Sequence, residues 1–101
     1  MSDPPCDGRG IVVLGNITTP GMYPAGVQGL LDAHPGAYYL RTDQSCPSLR
    51  QASDQGNPIY TVFEFAGRTE TEVCAAVNAA GGGAYGKWLD DTHDPAFIIP
   101  C

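Results

Sequence analysis

The sequence predicts an α+β domain in which the order β-α-β-β-α-β builds a four-stranded antiparallel sheet. Both helices lie on one face of it, and two disulfides staple the whole. Three observations carry this. A chain of 101 residues has room for one core. Strand-like and helix-like apolar periods alternate so that a strand–helix unit occurs twice, which is the two-layer pattern of such a sheet. Four cysteines, Cys6, Cys46, Cys74 and Cys101, are spread over the chain without the close C-x2-C pairs of a zinc site.

The elements follow in order. Gly10 to Gly15 is a β-branched run closed by Gly15-Asn16, read as a strand and a turn. Pro24 opens a helix in which Val27, Leu30 and Leu31 recur at helical spacing, and Pro35-Gly36 ends it. His34 then sits where a side chain meets the negative end of the helix dipole. Ala37 to Thr42 is an aromatic-rich second strand, and residues 43–57 form a long polar loop anchored by Cys46. Ile59 to Phe65 has the strongest strand propensity in the chain.

Thr69-Glu70-Thr71-Glu72 has the form of a capping box, and Val73, Ala76, Val77 and Ala80 follow on one helix face. Gly81-Gly82-Gly83 stops that helix by allowing positive φ. Ala84 to Leu89 is the fourth strand, and Asp90 to Pro95 is loop. Ala96-Phe97-Ile98-Ile99 is a last apolar stretch, which reads as core packing or as a dimer seam. Residues 1–5 read as a linker or cloning remnant, with none of the basic and apolar regions of a signal peptide. Residues 6–101 read as a single binding domain, and the two bridges implied by its dispersed cysteines place it in an oxidising, extracytoplasmic compartment.

Charge narrows the partners. The formal charge is −6 with five Lys and Arg, so phosphate neutralisation is weak and nucleic acid is not an expected partner. The same shortage argues against adhesion to anionic lipid. Neutral glycans, peptides and cationic groups suit such a surface better.

Candidate chemistry is sparse. Gly81 to Gly86 fits G-x-G-x-x-G literally, but it follows a helix and opens a strand, the reverse of a phosphate loop. Asp90, Asp91, His93 and Asp94 could meet a divalent cation, yet hard cations take six or more oxygens from a dedicated loop, so the cluster reads as a solvated turn. No metal, cofactor or catalytic residue is assigned. Asn16-Ile17-Thr18 is a glycosylation sequon, relevant only to a eukaryotic secretory host.

The aromatic residues fall on the strands, half of them facing the core by alternation. With one sheet face covered by helices and the other free, Tyr39, Arg41, Tyr60, Tyr85 and Trp88 are the candidate ligand-binding residues. The register of strand three stays open: Ile59, Phe63 and Phe65 inward, or Tyr60 and Val62 inward.

Two resemblances follow from particular motifs. The element order, with V-V-L-G-N-I at 12–17 and Y-T-V-F at 60–63, resembles SPOR domains, which bind peptidoglycan glycan. Val13 and Glu64-Phe65-Ala66 depart from that pattern, so the likeness implies the fold and not the ligand. C-D-G-x-G-I-V-V from Cys6, Y-L-R-T-D-Q-S-C at 39–46, N-P-I-Y at 57–60 and K-W-L-D at 87–90 resemble a second family over nearly the whole chain. That family is the C-terminal extracytoplasmic domain of mycobacterial and related actinobacterial receptor serine/threonine protein kinases.

This resemblance implies a parent protein inserted in the membrane, with an intracellular kinase domain absent from this chain, and signalling through a homodimer. The expected function is therefore a non-enzymatic sensor on the outer side of the plasma membrane, in the cell-envelope space. Its ligand would be extracytoplasmic, a peptidoglycan fragment or a cell-envelope protein. A secreted or cell-wall SPOR-like glycan-binding module is the alternative, and a small secreted hydrolase the remote one.

The disulfide pairing follows from the expected strand order 4-1-3-2. Strands one and four are then antiparallel neighbours, which places Cys6 near the chain's exit toward Cys101. The expected pairs are Cys6–Cys101, tying the termini, and Cys46–Cys74, pinning the long loop onto helix two.

Overall fold

The computed structural model describes residues 1–101 and shows the expected order: β1 (Arg9–Ile17), α1 (Tyr23–Ala33), β2 (Tyr38–Arg41), β3 (Tyr60–Gly67), α2 (Glu70–Ala80) and β4 (Tyr85–Leu89). The four strands form one antiparallel sheet in the order β2-β3-β1-β4, as the doubled strand–helix unit requires.

The helix limits follow local chemistry. Thr69 accepts from the Glu72 amide while the Glu72 carboxylate accepts from the Thr69 amide, a complete capping box at the start of α2. Gly81 and Gly82 close that helix at positive φ. In α1, Pro24 lies in the first turn and His34 is the C-cap.

β1 runs further than its sequence suggests. Gly15 and Asn16 were expected as a turn but continue the ladder opposite Val62 and Thr61. A bulge at Leu14 lets them do so, and Leu30 of α1 fills the space above Gly15 that a side chain would take.

Residues directly opposed across the ladder share a face. Gly10, Val12, Gly15, Val62 and Gly86 therefore face the helices. Val73 of α2 sits in the space left by the two glycines, in the path of a Cβ at either Gly10 or Gly86. A Gly10→Ala substitution should thus cost about 1–3 kcal/mol by overpacking. Val73→Ala should recover part of that loss, which a double-mutant cycle in urea would measure. Strictly additive costs would contradict the contact.

The opposite face was expected to be free, and it is not. Ile11, Val13, Leu40, Phe63 and Leu89 form the main buried cluster there, covered by Cys46 and Leu49 from the loop between β2 and β3. That settles strand three, since both of its faces are covered. Tyr60, Val62 and Glu64 lie toward the helices, and Thr61, Phe63 and Phe65 toward the loop.

The disulfides also correct an expectation. Cys6 pairs with Cys46 and Cys74 with Cys101, in place of Cys6–Cys101 and Cys46–Cys74. The strand order behind that expectation holds, so the error lies in the paths of the loop and tail. Cys6 does lie near the end of β4, where the Gly8 amide donates to Leu89. The loop reaches the same place, because Ser48 bonds the Trp88 carbonyl and the Asp90 amide and carries Cys46 with it. The tail instead turns at residues 90–94 and runs back along β4, where the Ile99 amide donates to Gly86, bringing Cys101 to α2.

The termini border both sheet edges. Ser2 donates to the Tyr39 carbonyl on the outer side of β2, and Pro4 is buried. Covered edges give another chain little to pair with. No helix is long and apolar enough to cross a membrane.

Candidate functional site

The long loop is held to the sheet by polar contacts as well as by its disulfide. The Gln51 amide nitrogen donates to the Leu49 carbonyl at 2.6 Å and lies 3.3 Å from that of Cys46. Ser48 is buried, donating to Trp88 O at 2.6 Å. The loop therefore forms one wall of a groove, and the returning tail forms the other, over the sheet face that carries Val13, Thr61, Tyr85 and Lys87. The groove encloses about 620 Å³, within the range of small-molecule sites.

Its floor is a directed hydrogen-bond chain. Thr61 Oγ1 donates to Asn16 Oδ1 at 2.7 Å, and Asn16 Nδ2 donates to the Tyr85 hydroxyl at 2.9 Å. Beside it, Lys87 Nζ donates to the carbonyls of Pro95 at 2.7 Å and Phe97 at 2.6 Å, fastening the tail. Lys87 is only 5% exposed. Burial pushes its pKa down, against the opposing pull of Asp94 and Asp90. Arg50 and Asp54 form an ion pair on the loop wall.

The five residues expected on one open face are divided among three places. Tyr39 and Tyr60 face the helices and line a cleft of about 340 Å³ with Tyr23, Val27 and Leu31 of α1. The Tyr60 ring packs at a tilt, 4.7 Å from that of Tyr23, whose hydroxyl donates to Pro58 O. Arg41 shares that face but turns its guanidinium onto Asp43, at 2.6 and 3.0 Å. Trp88 shares it too, far along the sheet on β4, with its ring 6.4 Å from His93. Tyr85 alone enters the groove.

Asn16, Thr61, Lys87 and Asp94 also line the groove and were not singled out as ligand-binding by sequence. Asn16 read as a turn residue and Thr61 as a strand former. Lys87 carried the one usable signal, a lone cation flanked by apolar and aromatic residues in a strand.

The acidic turn is a capped turn. Asp90 Oδ1 accepts from the amides of Thr92 and His93, and its Oδ2 lies 2.5 Å from His93 Nδ1. Burial pushes the Asp90 carboxyl up, but the His93 and Thr92 contacts outweigh it and leave its pKa below the usual 3.8. The native state therefore keeps the anion longer than the unfolded chain does. Its stabilisation is complete above 3.8 and is lost as pH falls through the native value. The stability gap between the wild type and Asp90→Ala should accordingly narrow from pH ~6 to ~3 in urea titrations. A constant gap would refute the assignment.

No protein-family model matches this chain, and comparison with curated proteins and with solved structures finds no significant relative.

Proposed function

We propose that this chain is the extracytoplasmic ligand-sensing domain of a membrane-spanning serine/threonine protein kinase, and that it binds its ligand in the groove over the loop-covered sheet face. The observation that carries the binding reading is the groove floor. A polar chain of Thr61, Asn16 and Tyr85 sits beside a buried ammonium, between a loop and a tail that are each tied down by a disulfide. Polar groups converging in a concave site on a rigid scaffold are the usual form of a small-ligand site. The kinase parent rests on the motif likeness running from Cys6 to Cys101. The disulfides fit an oxidising compartment, and so the outer side of the plasma membrane.

A glycan-binding module of SPOR type would work through an open sheet face, and here that face carries the loop and the tail. A hydrolase would need an activated nucleophile. All four cysteines are bridged, so no thiol is free to serve as one.

Two measurements test the proposal. Gene sequence upstream of residue 1 should encode a membrane span preceded by a kinase domain, and a signal peptide alone would overturn the kinase parent. Soluble peptidoglycan fragments, titrated into 15N-labelled domain, should shift the amides of Asn16, Tyr85 and Lys87. Tyr85→Ala should weaken that binding about tenfold. Shifts confined to the helix side of the sheet would overturn the groove as the site.

A further inference from the structure

We propose that the groove takes a small zwitterion: an amino acid or short peptide carrying both a free carboxylate and a free ammonium. This rests on the groove being the binding site. The polar hydrogens left over on the floor come from donors. Tyr85 O accepts from Asn16, so its own O–H remains to be given. Thr61 occupies Asn16 Oδ1, which fixes the amide and leaves its second N–H. Two of the three Lys87 N–H groups hold tail carbonyls, which leaves the third. Tyr85 and Lys87 share a face two residues apart, hence roughly 7 Å along the strand. The complement of these three donors is a group that only accepts and carries negative charge, a carboxylate.

The walls and the whole-molecule charge decide what else the ligand carries. Asp94 lines the tail wall, its Oδ1 capping the Ala96 amide and its Oδ2 without an ion-pair partner. Asp54 is already neutralised by Arg50. A domain of charge −6 repels a simple anion, whereas a net-neutral ligand enters without that cost. An ammonium beside Asp94 and a carboxylate over Lys87 and Tyr85 match the two charges that the groove presents.

The test titrates 15N-labelled domain with trialanine, N-acetyl-trialanine, trialanine amide and a neutral N-acetylated disaccharide. Trialanine should give saturable shifts at Asn16, Tyr85 and Lys87, and blocking either terminus should weaken binding about tenfold or more. Tyr85→Phe should weaken trialanine and leave the amide form unchanged. Asp94→Asn, which can still cap Ala96, should bring trialanine and its acetylated form to equal affinity. Amide spectra of both variants check that they are folded. Equal binding of blocked and free forms, or no trialanine shift at millimolar concentration, would overturn the zwitterion. Shifts at the same three residues with the disaccharide alone would overturn it too, while leaving the groove as the binding site.

Discussion

Replacing both Cys6 and Cys46 by alanine is expected to lower the unfolding free energy by about 4 kcal/mol, or roughly 20 °C in Tm. The bridge joins positions 40 residues apart, and closing a loop of that length restricts the unfolded chain by about that amount. Packing adds to it, because Cys46 is fully buried in the cluster with Leu40, Leu49 and Phe63. Removing Cys74–Cys101 should cost less. Its loop spans 27 residues, and Cys101 is exposed at the chain end, where little packing is lost. Urea unfolding of the two double variants, each with the other bridge intact, would rank them. A smaller loss for Cys6/Cys46 than for Cys74/Cys101 would refute the claim that the loop-side cluster is the main core. Non-reducing peptide mapping gives an independent check of the pairing itself.

Phe63→Ala is expected to cost about 3–5 kcal/mol, the range for a large aromatic truncated in a packed site. Phe63 has no exposed surface, pairs across the sheet with Val13, and meets the edge of Phe65 at 5.4 Å. Tyr38 lies 6.0 Å away on β2, and Arg9 caps Phe65 at 4.1 Å. Truncation would leave a cavity between sheet and loop that the bridged loop is too constrained to close. Had this face been open to solvent, the same change would cost well under ~1 kcal/mol. The urea midpoint of Phe63→Ala therefore decides between a covered and an open sheet face. A loss below about 1 kcal/mol would remove the loop-side core.

The residues most legible in the sequence are those whose role is local. Thr69 and Glu72 announce the start of α2, and Gly81 and Gly82 its end, because each satisfies backbone groups within one turn of chain. The doubled strand–helix period determined the element order, and the antiparallel pairing of β1 with both β3 and β4 followed from that topology. Four dispersed cysteines determined that there are two disulfides. Phe63 was visible as an apolar strand residue, but not which way it points. Thr61-Val62-Phe63-Glu64-Phe65 places apolar groups on both faces, and alternation reports a direction only when one face is wet.

Which cysteines pair, where the tail runs and where a ligand could enter were decided by the tertiary structure alone. These depend on Ser48 bonding Trp88 and Asp90, on Lys87 holding Pro95 and Phe97, and on Ile99 meeting Gly86. Ser48 lies 40 residues from Trp88, so no local period encodes their contact. The cost of burying a hydroxyl or an ammonium without partners selects such contacts only once the sheet has formed. The groove with Asn16, Tyr85 and Lys87 on its floor is a consequence of those contacts, which is why the sequence named one of the three and the fold assembled them all.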